Sequence, residues 1–132
     1  MYTHRFYRTW ISEKRLHRFR ILLRESDIQI AAKSDLTCRA CEALHSARKN
    51  IEEYIKQNPG FDTSMIPVEQ DNRAPRIVSG MIDAAFSWNV GPMAAVAGAI
   101  AEDVGRSLSQ CTDTVVVENG GDIFLKSRDR IN

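Results

Sequence analysis

The residues best equipped for chemistry gather in Glu118-Asn119-Gly120-Gly121-Asp122, inside the stretch VVVENGGDIFL from Val115 to Leu125. Three side chains with acceptor oxygens surround two glycines, whose bare backbone lets a ligand come close to the amides. A set of this kind suits a ribose, a phosphate or a metal. The same five residues also separate two apolar, β-branched runs, and Asn-Gly in that setting is the strongest short-range signal for a β-hairpin. Local rules alone favour the hairpin over the ligand loop.

The other reactive side chains form weaker patterns. Cys38 and Cys41 make a CxxC at the start of a helix just after a strand, the placement that lowers a thiol pKa in thioredoxin-type sites. Their neighbours Thr37, Arg39 and Ala40 are not those of a redox motif. A zinc centre needs two further ligands, and His4, His17, His45 and Cys111 supply no second paired spacing. Cys38 and Cys41 therefore read as small helix residues beside a buried stripe, with redox work as the remaining alternative. An odd count of three cysteines fits a reducing compartment rather than a disulfide framework. His45 reads as a surface histidine, and Glu102-Asp103 as a solvated helix face. There is no P-loop, no GxGxxG and no Ser/His/Asp arrangement.

The elements that must position these groups follow from periodicity and breakers. Strands are expected over Leu16–Arg24, with Phe19, Ile21 and Leu23 on one face, and over Ile28–Ala32, with Ser26-Asp27 turning between them. Ser34-Asp35 caps a helix running to Gln57, whose apolar stripe is Ala40, Leu44, Ala47, Ile51, Tyr54 and Ile55. Asn58-Pro59-Gly60 ends it. A loop through residue 73 is pinned by Phe61 and Ile66. A second helix spans Pro75–Trp88, burying Ile77, Val78, Met81, Ile82, Ala85 and Trp88, and a third spans Pro92–Leu108. This third helix puts Ala94, Gly98, Ala101 and Gly105 on one face. Gly98 in mid-helix costs about 1 kcal/mol relative to alanine, so a close neighbour or a ligand should compensate; tight helix-on-sheet packing is the plainer reason. Thr114–Val117 and Ile123–Lys126 complete the strands. The order predicts an α+β layered domain, helices on a mixed or antiparallel sheet.

At 132 residues the chain fits one domain, residues 1–132, with ordinary hydrophobic (43%) and charged (27%) fractions. Residues 1–24 hold seven Lys/Arg against Glu13 alone; with a whole-chain charge of +1, the remainder carries −5. Phe6, Tyr7, Trp10 and Phe19 lie among those bases, the composition of a nucleic-acid surface. With no RNA- or DNA-binding motif present, a solvated basic strand face accounts for it, and no nucleic-acid partner is expected. No apolar run approaches the roughly 20 residues of a membrane span, and no signal peptide is recognisable. The expectation is a cytoplasmic protein without a membrane partner.

Two segments in combination, VGPMAAVAGAIAEDVG and VVVENGGDIFL, resemble an uncharacterised prokaryotic family of ApbE-like proteins, distant relatives of the ApbE flavin transferases historically linked to thiamine biosynthesis. ESDIQI and ARKNIEEYI agree, and similarity extends from about Tyr7 to Lys126. The resemblance implies an ApbE-like fold of which these residues are the N-terminal half. It implies FAD and Mg2+ as cofactors. It also implies a nucleotide-type site built from Gly91, Pro92, Gly98, Glu118, Asn119, Gly120, Gly121 and Asp122. On this reading pyrophosphate lies against the Gly120-Gly121 amides and the start of the Pro92 helix, and the ENGGD stretch becomes a ligand loop. Gly98 stands where the transferase motif has its lysine, so Gly98→Lys is expected to strengthen anion binding. The metal-binding segments of the transferases lie further towards the C-terminus than Asn132. Two functions result: flavin- or nucleotide-type ligand binding, or a non-catalytic assembly module that keeps the fold without transferase chemistry. The second predicts a homo-oligomer joined through the strand edge at Ile123–Lys126.

Overall fold

The computed structural model describes residues 16–128. His4, Phe6, Tyr7 and Trp10 lie outside them. The elements are β1 (His17–Leu23), β2 (Ser26–Ala32), α1 (Thr37–Gln57), α2 (Arg76–Ser87), a 3-10 turn (Pro92–Ala95), α3 (Val96–Leu108), β3 (Thr114–Asn119) and β4 (Asp122–Ser127). The strands form one antiparallel sheet in the order β1-β2-β3-β4. The three helices cover one face of it, as expected for an α+β domain. Between β2 and β3 the chain builds this helical layer, then returns beside the strand it left.

Strand alternation selects the buried face. Ile21, Ile28, Ile30, Val115 and Val117 point towards the helices and meet Leu44, Met81, Val104 and Leu108, all buried. Each such side chain, fully buried, contributes about 1.5–3 kcal/mol relative to exposure. On the opposite face the cross-strand partners Ala31 and Val116 are also buried, packed by Leu16, Ile123 and Leu125.

The expected stripe of α1 is buried at Ala40, Leu44, Ala47, Ile51 and Tyr54, while Ile55 is only partly buried against the core. Asp35 accepts hydrogen bonds from the Thr37 amide (3.0 Å) and the Thr37 hydroxyl, but the expected Ser34-Asp35 cap is replaced: Leu36 holds the N-cap position, without a side-chain cap. The loop that follows α1 is pinned by Phe61, whose ring meets Tyr54 edge-on at 5.0 Å. The Tyr54 hydroxyl donates to Asp71 (2.8 Å), and Gln70 donates to Ser79 and Asp83 on α2.

Three further expectations need correction. Ile66 does not pin the loop: it is 70% exposed, and Phe61 with Gln70 does that work. Trp88 is not buried either, at 80% exposure, because α2 stops at Ser87 and the chain turns there, with the Val90 amide donating to the Ala85 carbonyl. Thirdly, the helix expected from Pro92 starts as a tighter turn, its Ala94 amide donating to Gly91, and becomes α-helical only at Val96. Among the described residues no single helix is long and apolar enough to cross a membrane.

Candidate functional site

The ENGGD stretch is a two-residue hairpin. Asn119 pairs with Asp122 across Gly120-Gly121, and Gly120 takes the positive φ of 62° that such a turn requires. The hairpin mouth grips the first turn of α3. Asn119 Nδ2 donates to the Ala97 carbonyl (3.1 Å), and a Cβ on Gly98 would stand 3.2 Å from Asp122 Oδ1. About two turns further on, Gly105 lies under the Phe124 ring. The small face of the third helix thus has its close neighbour: strand β4.

The structure brings Gly98, Asn119 and Asp122 together and separates the other expected site residues from them. By alternation with Val117 and Asn119, Glu118 projects from the opposite face of the sheet, opposite Gln29 and Ile123. Gly91 is buried against the loop before α2, where an added Cβ would collide with the Ser64 carbonyl at 1.8 Å; Pro92, also buried, opens the 3-10 turn. Gly120 and Gly121 sit at the exposed hairpin tip.

Gly98 and Asp122 do border a ligand-sized space. A groove of about 1310 Å³ runs over the outer side of α3, between α1 and α2 on one side and the start of β4 on the other. Gly80, Ala84, Ala94, Ala95, Gly98 and Ala99 give it low walls. Charged groups stand around them: Arg39 and Glu42 from α1, Arg76 and Asp83 from α2, Glu102, Asp103 and Arg106 from α3, and Asp122 from β4. Trp88 lines the end of the groove beyond α2.

These groups differ in how far the protein already uses them. Arg39 donates to Gln110 (2.6 Å), Arg106 pairs with Glu102 (3.4 Å), and Asp83 accepts from Gln70 (2.7 Å). Among the described residues Arg76 and Asp103 have no hydrogen-bond partner and no close ion pair. Asp103 is half-buried, whereas the groove's other four carboxylates are exposed. Burial pushes the Asp103 carboxyl above the ordinary aspartate range, with Arg76 across the groove opposing the shift. Of Glu102-Asp103, expected as a solvated helix face, only Glu102 is exposed. The signal was faint: Asp103 follows Ala99 by one helical turn and precedes Ser107 by another, on the small-residue side.

No group of three or more His, Cys, Asp or Glu poised to hold a metal exists among the described residues. Cys38, Cys41 and Cys111 are free and exposed, and His45 is exposed on α1.

The profile of a protein family described as AbpE bacteria matches residues 8–132. The chain is 37% identical over 114 residues to a UPF0280 protein of Methanopyrus kandleri, covering 86% of this chain and 46% of that protein. It is 40% identical over 110 residues to a UPF0280 protein of Methanocaldococcus jannaschii, covering 83% and 44%. With a UPF0280 protein of Methanococcus vannielii it shares 47% identity over 81 residues, 61% of this chain and 33% of that one. The chain therefore spans less than half the length of these relatives. The kinship with FAD:protein FMN transferases, expected from the two C-terminal segments, is overturned: neither the matching family nor these relatives carries that assignment. The motifs behind it have local causes, since Gly120-Gly121 makes a hairpin turn and the small residues of α3 admit β4. By its match across residues 8–132, the chain belongs to the AbpE bacteria family, in the company of the UPF0280 proteins.

Proposed function

We propose that this domain binds a nucleotide-type small molecule, a planar ring carrying a hydroxylated chain and phosphate, in the groove over α3. The observation that carries the proposal is the groove itself: ligand-sized, with low small-residue walls that admit a flat molecule, an exposed tryptophan at one end and, on its wall, Arg76, which makes no hydrogen bond or close ion pair among the described residues. Trp88 offers a stacking surface, and Arg76 a guanidinium for phosphate. They stand at opposite ends of α2, about 18 Å apart along its axis at 1.5 Å per residue. That span suits an extended nucleotide such as FAD better than a bare ring. Five carboxylates against three arginines leave the groove net negative, so phosphate would enter with a cation. Mg2+ is commonly held by one or two carboxylates together with phosphate oxygens. Asp122, exposed and beside Gly98, is the carboxylate best placed to share it.

Calorimetric titration with FAD and with ADP, each with and without magnesium, tests this. Saturable, magnesium-dependent binding is expected, weakened about tenfold or more in Trp88→Ala, since an aromatic–base stack is worth about 1–3 kcal/mol. Failure of both probes to bind the folded protein would sink the reading.

A second reading, an assembly module without chemistry, has its own support. β4 is an edge strand among the described residues, and Met65, Ile66, Phe86 and Trp88 are large, apolar and exposed. It predicts a homo-oligomer by light scattering, dissociated by Phe86→Glu; a monomer at high concentration would count against it.

A further inference from the structure

We infer that Asp103 is the ligand-contacting carboxyl of the groove, accepting a hydrogen bond from a hydroxyl or ring N–H of the bound molecule while ionised. The inference rests on the groove reading above and goes further by assigning one residue and one contact. Four of the five groove carboxylates have other occupations or free access to water. Asp83 accepts from Gln70, Glu102 pairs with Arg106, and Glu42 and Asp122 are exposed. Asp103 alone of the five is half-buried and, among the described residues, without a hydrogen bond or close ion pair. Its oxygens still reach water, but partial burial weakens their solvation, so a donor arriving with a ligand in the groove would gain a stronger hydrogen bond there than at an exposed carboxylate. None of the described residues donates to it, and its open side is the groove.

The charges around Asp103 set how it would act. Arg76 from α2 and Arg106 from its own helix favour the ionised carboxyl, while burial and the neighbouring Glu102 oppose it. Arg39 and Glu42 on α1, Asp83 on α2 and Asp122 on β4 stand elsewhere on the groove walls. Burial is the largest influence, so Asp103 takes up its proton at higher pH than an ordinary aspartate. An ionised carboxyl accepts hydrogen bonds only, and protonation removes the charge that strengthens them. Affinity for a donor on the ligand should therefore fall as pH drops through the Asp103 pKa.

The test is the affinity of FAD with magnesium as a function of pH, for the wild-type chain and for Asp103→Asn. The pyrophosphate of FAD has no proton to gain in the mildly acidic range, and any residual ligand titration is common to both proteins. At neutral pH the variant should bind about tenfold more weakly, the scale of a lost charged hydrogen bond. Its pH profile should be flat where the wild type declines. A variant that binds as tightly as wild type with the same profile would overturn the assignment of Asp103 while leaving the groove reading intact. No FAD binding by the wild type would overturn both. Circular dichroism guards the comparison, and thermal unfolding of the variant should be unchanged or shifted upwards, because it neutralises a partly desolvated charge.

Discussion

The Cδ2 atom of Phe124 lies 2.3 Å from where a Cβ on Gly105 would stand, so β4 rests an aromatic ring directly on the backbone of α3. Glycine in that helix is there for a strand to approach, and the approach is tighter than any other residue would permit. Gly105→Ala gains about 1 kcal/mol of helix propensity but forces a ring and a buried backbone apart, typically costing about 1–3 kcal/mol. The overlap should win. Urea denaturation is expected to show a net loss, and adding Phe124→Leu should recover most of it. A single variant as stable as wild type would rule this contact out.

Gly98 should behave in the opposite way. Its added Cβ meets only the end of the exposed Asp122 side chain, at 3.2 Å, and that carboxylate can swing aside. Gly98→Ala is expected to raise stability by up to about 1 kcal/mol, measured as a higher denaturation midpoint. The expectation that Gly98→Lys strengthens anion binding changes with this geometry: the ammonium would lie beside Asp122 and pair with it first. FAD affinity in Gly98→Lys should not rise, and a clear gain would show the lysine reaching the ligand instead.

Arg48 holds the β1–β2 turn to α1. Its guanidinium donates to Ser26 (2.7 Å), Glu25 (3.0 Å) and Glu52 (3.2 Å), and Glu52 also accepts from Arg24 at the turn (2.8 Å). The side chain is only 14% exposed, and Ser26 is buried. Arg48→Met keeps the stem but strands the Ser26 hydroxyl, so it should destabilise by about 1–3 kcal/mol. Hydrogen exchange should quicken first at the turn amides around Arg24 and Glu25. Uniform exchange with no loss of stability would mean that the network adds nothing.

Acid should destabilise the fold. Hydrogen bonds from Arg20 to Asp27, from Thr37 to Asp35, from the Arg73 amide and then Tyr54 to Asp71, and from Lys33 to Asp113 hold those carboxyls below the ordinary range. A depressed folded-state pKa gives stability that is complete above the ordinary value near pH 4 and disappears as pH falls through the folded values. Asp103 works in reverse: its raised pKa costs stability above that value, and the cost is relieved as pH falls through it. Asp27 and Asp35 are exposed, and Asp71 and Asp113 only partly covered, so the effect should be modest and weaken with salt. The urea midpoint should fall below about pH 4, and a midpoint still rising at pH 3 would contradict this account.

The elements were legible because their signals are local. The apolar stripe of α1, the alternation of β1 and the glycine turn of the last hairpin each follow from a few neighbouring residues, and each forms within a residue or two of its expected bounds. The candidate site was legible only in part. Gly98, Asn119 and Asp122 do meet, yet Glu118, one residue from Asn119, points away from them because successive strand residues face opposite sides.

By itself, then, the sequence determined the α+β class, the order of strands and helices, and the hairpin at Gly120-Gly121, since backbone preference and hydrophobic period are properties of the local chain. Only the tertiary structure decided that β4 lies against Gly98 and Gly105, that Trp88 is exposed, and that Asp103 is half-buried in a groove opposite Arg76. Those outcomes depend on which helix faces which strand across tens of residues, and burial, which sets the cost of a charge and the worth of a contact, exists only once those faces have met.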